Sequence, residues 1–440
     1  MNFREEAYST ILKVLKNNEF SDAMLQQRAK KLKHSGEDIR LFYTTVKGVI
    51  KMRLKLDFIL GHYTDPKKYE ATDLKIKIML YLGLYQIIYL DTIPDHAAVN
   101  ETVELAKKLL SNQVADFVNA ILRSYLREDS IQYPKDSALR IAYEHSYPPE
   151  LIKTWIRLWG EEATEYMAMY FNENPALHIR VNSTATSPEK LQKYFERRNI
   201  EIIPCKASKM MFTTHQSSEV LDEVAFSEGY FSVQDTSAAL VVELLAPQAE
   251  QSVLDMFAAP GGKCTYIAEL MQNSGEIVAV DKIPKKMKLL KQAADRLQLN
   301  NIIQVTTDAL KYGPVAPAFD RVLVDAPCSG WGVFSRKADL RWQAHNDIAE
   351  LVKLQEKALD HAANFVAPDG FLVYSTCTMN PQENEEQIAR FLAKNPKFKL
   401  VPAELSIPLE YTENGFLKTI PFKHHMDGAF GAKLQKIIRS

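Results

Sequence analysis

SVLDMFAAPGGKCT, residues Ser252 to Thr265, is the stretch on which the fold turns. An apolar run of strand length opens into small residues and a glycine pair, and a helix-forming segment follows. The same succession recurs through EIVAVD, NIIQVTT, RVLVDAP and GFLVYST. Short apolar strands alternating with helices from about residue 231 predict a parallel sheet flanked by helices. In such sheets ligands sit beyond the carboxyl ends of the strands, so the residues just past each strand carry the functional reading.

Gly261 and Gly262 carry no Cβ and allow a backbone to approach a ligand closely. The turn lacks the G-x-G-x-x-G of a dinucleotide site, because Ala, Pro and Lys stand where the other glycines would be. The next strand ends in Asp281, placed to accept the two hydroxyls of a ribose, and the third runs into Asp308, placed to meet an adenine edge. One strand-end Asp alone is more often a helix N-cap. Successive ones beside a glycine turn point to a nucleoside cofactor without a pyrophosphate, namely S-adenosylmethionine.

Working outward, residues 131–230 read as a small α+β module. HIRVN (His178 to Asn182) alternates like a strand, SPEKLQKYFERRN is a helix with Ser187 as N-cap and Pro188 in its first turn, and IEIIP is strand-like. Residues 1–130 read as helix throughout. In FVNAILRSYLRE, Phe117, Ile121 and Tyr125 with Val118, Leu122 and Leu126 predict one broad apolar stripe, as a helical bundle needs. The run Ile78 to Leu90 is too short for a membrane span and reads as a core helix.

Composition is that of a soluble globular chain: 440 residues, 46% hydrophobic, 25% charged, net charge −1. The start has early acids and no signal-peptide pattern, so a cytoplasmic protein without membrane association is expected. Near-neutral charge excludes a protein coated in positive charge but not a local basic groove, and RAKKLK (Arg28 to Lys33) and KIPKKMKLLK (Lys282 to Lys291) are basic clusters that read first as solvated helix faces. Four cysteines without a C-x-x-C pair exclude a disulfide framework and structural zinc, and no metal is expected.

Two of those cysteines end apolar runs, in VLVDAPCSGWG (Cys328) and LVYSTCTMNPQENEEQ (Cys377). DMFAAPGGK, VDAPCSGWG and YSTCT together resemble the RNA 5-methylcytosine methyltransferases. The helical N-terminus, with PDHAAVNETVELAKK and FVNAILR, resembles the NusB antitermination fold and narrows the likeness to the small-subunit ribosomal RNA methyltransferase B subfamily (Sun type). LHIRVN, GYFSVQD and MDGAFGAKLQK extend it over most of the chain. The resemblance implies a multidomain protein: an all-α NusB-like RNA-binding bundle (1–130), an α+β RNA-recognition module (131–230), and an α/β Rossmann-like methyltransferase domain (231–440). It implies Cys377 as nucleophile, Cys328 in product release, Asp325 holding the cytosine near its amino group and ring nitrogen, and Lys263 in the active site. The expected cofactor contacts are Ala258, Ala259, Pro260, Gly261, Gly262, Lys263, Cys264, Asp281, Asp308 and Asp325. Cys264 stands where the family has Thr, and its thiol, like that of Cys205, reads as a small buried hydrophobe.

Chemistry explains why two thiols are needed. Carbon 5 of cytosine is a poor nucleophile until a thiolate adds to carbon 6 and makes the ring an enamine. The methylated adduct must then lose the carbon-5 proton and expel the thiol, which a second acid/base group assists. DNA cytosine methyltransferases use the Pro-Cys thiol as nucleophile, so the additional Thr-Cys thiol favours RNA. The expected substrate is an unstacked cytosine in unassembled small-subunit rRNA, taken by a monomer. Arg180 and Asn182 are candidate RNA contacts. In FSRKADLRW (Phe334 to Trp342) Lys337 and Ala338 replace the family's His and Pro, and an altered active-site loop retaining Arg336 and Asp339 is expected. A tRNA methyltransferase of the same chemistry and a non-catalytic RNA-binding factor are the competing readings.

Overall fold

The computed structural model describes residues 3–17, 21–29, 36–128, 130–313, 318–343 and 347–437. The chain divides into two compact units: Met1–Asn172 with Lys337–His345, and Glu173–Arg336 with Asn346–Ser440.

The first unit is helical. Leu74–Tyr89 has no polar face, and such a helix must be surrounded; every residue from Ile78 to Gln86 is buried. Phe3–Asn17, Gly36–His62, Asp95–Leu109 and Asn112–Arg127 pack around it. Asp73 and Ser111 cap two of these helices by accepting from the backbone N–H groups of Lys75 and Val114. In Asn112–Arg127 the apolar stripe is narrower than its sequence predicts. Val118, Ile121 and Leu122 are buried, but Phe117 and Leu126 lie a helical step to either side and are 36% and 39% exposed. No helix among the described residues is long and apolar enough to cross a membrane. Of RAKKLK, Lys30 to Lys33 lie outside the described residues, while Arg28 pairs with buried Glu6 at 2.7 Å.

A short 3-10 turn, Ala338–Trp342, completes this unit from far along the chain. Asp339 accepts from the Ser21 hydroxyl at 2.7 Å. Arg341 is 0% exposed and donates to Ser146 O, Asn172 Oδ1 and the Tyr147 hydroxyl, with its guanidinium 4.0 Å from the Tyr147 ring centre. Trp342 Nε1 donates to Ile50 O at 2.8 Å, and Arg53 stacks on the indole. Asp339 and Arg341 thus anchor this turn in the helical unit, because a buried guanidinium needs the carbonyls and hydroxyl that this unit supplies.

The second unit contains two sheets. A four-stranded antiparallel sheet is ordered Ile203–Pro204, Met211–Thr214, Leu177–Val181, Phe231–Val233. Pro188–Glu196 is helical with Ser187 as its cap. IEIIP is strand only at its end, because the Glu201 N–H is taken by the Gln216 side chain. Arg180 and Asn182 do not face solvent, contrary to the expectation of RNA contacts: they are 0% and 1% exposed. One face of Leu177–Val181 buries Ile179 and Val181 in the module's own core. The other face turns Arg180 onto Glu269 and Asn182 onto Leu297 O.

The larger sheet has a core of five parallel strands in the order Ile302–Thr306, Glu276–Asp281, Ser252–Met256, Phe319–Asp325, Val366–Thr376. All five are the strands the sequence predicts. The sheet is mixed, however, because Phe430–Lys436 joins antiparallel beside Val366–Thr376 and carries further antiparallel strands. Their registers align Asp281 with Thr306 and Asp325 with Ser375, so the strand ends meet along one edge.

Candidate active site

At that edge two neighbouring strands deliver the two thiols. Asp325 is the register partner of Ser375, and the Ala326 N–H donates to Ser375 O at 2.9 Å. The chain then continues to Cys328 from one strand and to Cys377 from the other, and their Sγ atoms lie 3.3 Å apart without a disulfide. Gly332 fixes the Cys377 loop from behind. Its N–H donates to Cys377 O and its carbonyl accepts from the Gly428 N–H, an approach so close that a Cβ on Gly332 would stand 2.1 Å from Gly428 O.

Lys263, in the first turn of the helix Gly262–Leu270, donates to Asp325 Oδ2 at 2.7 Å, while Ser375 donates to Asp325 Oδ1 at 2.9 Å. Burial works against the Lys263 charge, but Asp325 first, then Cys377 and Asp255, carry its pKa above the ordinary lysine value. The hydrogen bond that the Cys328 thiol makes to neighbouring Cys377 is the largest influence on Cys328. With burial and the charges of Cys377 and Glu383 it pushes the Cys328 thiol well above its usual range. The pair thus keeps a proton on Cys328 beside a second sulfur and an ammonium group, the setting in which one of two thiols ionises.

The glycine turn lies across the sheet edge from these groups. Gly261 takes φ +111°, and a Cβ there would stand 2.4 Å from Leu290, so this glycine serves packing and backbone. A Cβ on Gly262 would meet only Gln234 Nε2, at 3.6 Å, an ordinary contact. Ala258 and Gly261 are buried, Ala259 and Lys263 half-buried, and Pro260 and Gly262 exposed. The Cys264 side chain is packed in the core, so only its backbone can face a ligand. Asp281 holds the turn by accepting from the Ala259 N–H and also accepts from the Ile283 N–H; a carboxylate so placed retains lone pairs for further donors. Asp308 caps the short turn Ala309–Lys311 by accepting from the Leu310 N–H.

Two buried polar groups border this turn, and both fit the aminoacyl end of S-adenosylmethionine. No nitrogen or oxygen donor reaches the Asp255 carboxyl, whose hydrogen-bonding neighbour is the Cys264 thiol. Burial, with Asp325 and Asp281 adding and Lys263 opposing, pushes that carboxyl well above its ordinary range, which an ammonium group would reverse. Gln234 Nε2, beside Gly262, is unpartnered and can donate to a carboxylate. Sequence reasoning gave Asp255 no role, although an acid inside the apolar strand Ser252–Met256 is itself a signal, since a buried charge needs a partner. It also passed over Glu383, because nothing in NPQENEEQ separates the one fully buried glutamate from half-buried Glu385 and exposed Glu386.

Asp235, Arg336 and Asp427 form a further cluster. Arg336 donates to Asp235 at 2.8 Å and to Asp427 at 3.3 Å, and the Asp427 N–H donates to Asp235. Arg336 is thus held between two aspartates. Among the described residues one trio of metal-ligand type converges, Glu144, His145 and Glu165, but Arg140 already pairs with both glutamates.

A parallel sheet whose first strand opens through a glycine turn, with no dinucleotide fingerprint and with acids at the next strand ends, defines an S-adenosylmethionine-dependent methyltransferase. Comparison with known proteins makes this specific. The family model described as 16S rRNA methyltransferase RsmB/F matches residues 242–435, the NusB family matches 1–127, and the RsmF/B-like ferredoxin-like domain matches 147–220. The probable ribosomal RNA small subunit methyltransferase B of Bacillus subtilis (strain 168) is 35% identical over 98% of this chain and 98% of that one. The crystal structure of PH0851 is 25% identical with a TM-score of 0.81 and covers 99% of this chain and 98% of that one. The crystal structure of NSun6 from Pyrococcus horikoshii with SFG, 22% identical with a TM-score of 0.61, covers 68% of this chain and 100% of that one and shares the fold. The chain belongs to the ribosomal RNA small subunit methyltransferase B family, and its chemistry is S-adenosylmethionine-dependent methylation of RNA.

Proposed function

We propose that the protein methylates carbon 5 of a cytosine in small-subunit ribosomal RNA through a covalent bond between Cys377 and carbon 6 of the base. The observation that carries this reading is the pair of sulfurs 3.3 Å apart at the ends of adjacent strands, flanked by the Lys263–Asp325 ion pair. Bound S-adenosylmethionine supplies an electrophilic methyl group on a sulfonium. The Cys377 thiolate adds to carbon 6, and the ring electrons move toward nitrogen 3 and oxygen 2, making carbon 5 nucleophilic. Asp325 orients the base through its amino group, and the Lys263 ammonium offsets the negative charge that the ring acquires. Carbon 5 takes the methyl group and the ring becomes neutral.

Bonding of Cys377 to carbon removes the anion beside Cys328, so Cys328 can release its proton to solvent. It then takes the carbon-5 proton, the ring double bond re-forms, and Cys377 leaves as thiolate with Cys328 again a thiol. A base paired in a helix cannot reach these sulfurs, so the substrate cytosine is unstacked.

Two variants and one sequencing experiment test this. Cys377→Ala abolishes turnover and forms no adduct, whereas Cys328→Ala accumulates a protein–RNA adduct that survives denaturing electrophoresis. The reverse pattern exchanges the two roles. Bisulfite sequencing of rRNA and tRNA from a deletion strain shows loss of one rRNA methylcytosine; loss confined to tRNA ends the rRNA assignment.

A further inference from the structure

Glu383 is wholly buried in the polar loop that follows Cys377. It accepts four hydrogen bonds, from Ser329 N at 2.9 Å, Ser329 Oγ at 2.5 Å, Gln355 Nε2 at 2.9 Å and Asn380 Nδ2 at 3.1 Å. All four donors are neutral side-chain or backbone groups. Two of these bonds come from Ser329, the residue after Cys328, and the same Gln355 nitrogen also donates to Pro327 O, just before it. The Ser329 hydroxyl in turn meets the Thr378 hydroxyl at 2.8 Å, beside Cys377. Tyr374, on the strand leading to Cys377, donates to Glu383 O at 2.7 Å and fixes the backbone of the clamp.

We infer that Glu383 is a positioning residue for the two thiols: its carboxylate ties together the residues flanking Cys328 and Cys377 and sets their sulfur contact. The inference rests on the proposed covalent chemistry for its use in turnover, but not for its geometry. The Gly332 N–H already ties the loop after Cys328 to Cys377 O, and the hydrogen bonds through one buried acceptor add a second tie, at the residues next to both sulfurs. The charge acts in the same sense as the clamp, since Glu383 is one of the groups that keep Cys328 protonated. A Cys328 that ionised first would become a competing nucleophile and leave no proton carrier for release.

Alkylation of the intact protein by iodoacetamide across pH, read for each cysteine by peptide mass spectrometry, tests this without RNA. Glu383→Gln lowers the midpoint of Cys328 alkylation by about one pH unit, the size expected when a nearby like charge is removed. Glu383→Asp keeps the charge and restores the midpoint, while the shorter side chain loosens the clamp and lowers kcat with little change in KM. Cofactor affinity by calorimetry stays unchanged in both, which reports an intact fold. An unchanged midpoint in Glu383→Gln, or the same shift in Glu383→Asp, overturns the inference. Should Glu383→Gln not fold, Ser329→Ala removes one donor and leaves the charge, so the Cys328 midpoint holds or rises while kcat falls; a lowered midpoint overturns the inference. Failure of the covalent mechanism would show separately, as turnover retained by Cys377→Ala.

Discussion

Replacing Glu269 by Gln leaves the Arg180 guanidinium charged, fully buried and deprived of its counter-ion. Both side chains are 0% exposed, and they meet through two hydrogen bonds of 2.6 and 2.9 Å. Arg180 also donates to Gly262 O at 2.9 Å and to Gln234, and lies 4.7 Å from the Tyr266 ring centre. Burial pushes the Glu269 carboxyl up more strongly than Arg180 pulls it down. A glutamate whose folded pKa lies above its unfolded one loses its contribution as pH rises through the folded value, so the intact pair is a weak stabiliser. Breaking it is another matter, because one buried charge is then uncompensated, at about 3–5 kcal/mol. Glu269→Gln is therefore expected to lower the Tm of the methyltransferase unit by roughly 10 °C. Arg180→Met with Glu269→Leu removes both charges and returns stability to within about 1 kcal/mol of the parent. That double variant still loses the donor to Gly262 O, so its affinity for S-adenosylmethionine drops while its Tm recovers. Denaturant unfolding and calorimetry on the full chain read the two effects separately. A double variant as unstable as Glu269→Gln alone would show that the pair is held by packing and refute the electrostatic reasoning.

Two other perturbations follow from the same accounting of buried charge. Asp255→Asn removes a buried acid that no cation contacts, so the cofactor-free protein gains thermal stability while its affinity for S-adenosylmethionine falls about tenfold, which calorimetry reads. In the helical unit, burial first, then the charges of Arg341 and Lys47, bring the Lys51 ammonium down to about 7. Its unfolded value is the ordinary ~10.4, so between these limits the unfolded chain binds the extra proton and stability rises with pH. Lys51→Met should raise the Tm most below that window and progressively less through it, as a series of thermal scans across pH will show.

Much of the site was legible because it depends on local pattern. Each parallel strand announces itself as a short apolar run, so Asp281, Cys328 and Cys377 stand out as candidates by reading to strand ends and just past them, whereas Lys263 and Asp325 were singled out by the family resemblance. What escaped depends on contacts between segments far apart. Alternation in HIRVN shows that His178, Arg180 and Asn182 share a face, but not that this face is covered by Glu269 and Leu297 instead of water. The acidity of NPQENEEQ does not say that Glu383 alone turns inward to Ser329. FSRKADLRW carries no local sign that Arg341 ends among the carbonyls of the helical unit.

That last placement bears on how the molecule is made. The N-terminal helices leave the ribosome early, yet the turn Ala338–Trp342 that fills the space beside Tyr147 is encoded beyond most of the catalytic strands. At ordinary rates of translation the nascent bundle waits roughly 10–30 s for its final piece. Until then Tyr147 and Asn172 face a gap that only solvent or a chaperone can occupy, and a fragment ending at Asn172 never closes it.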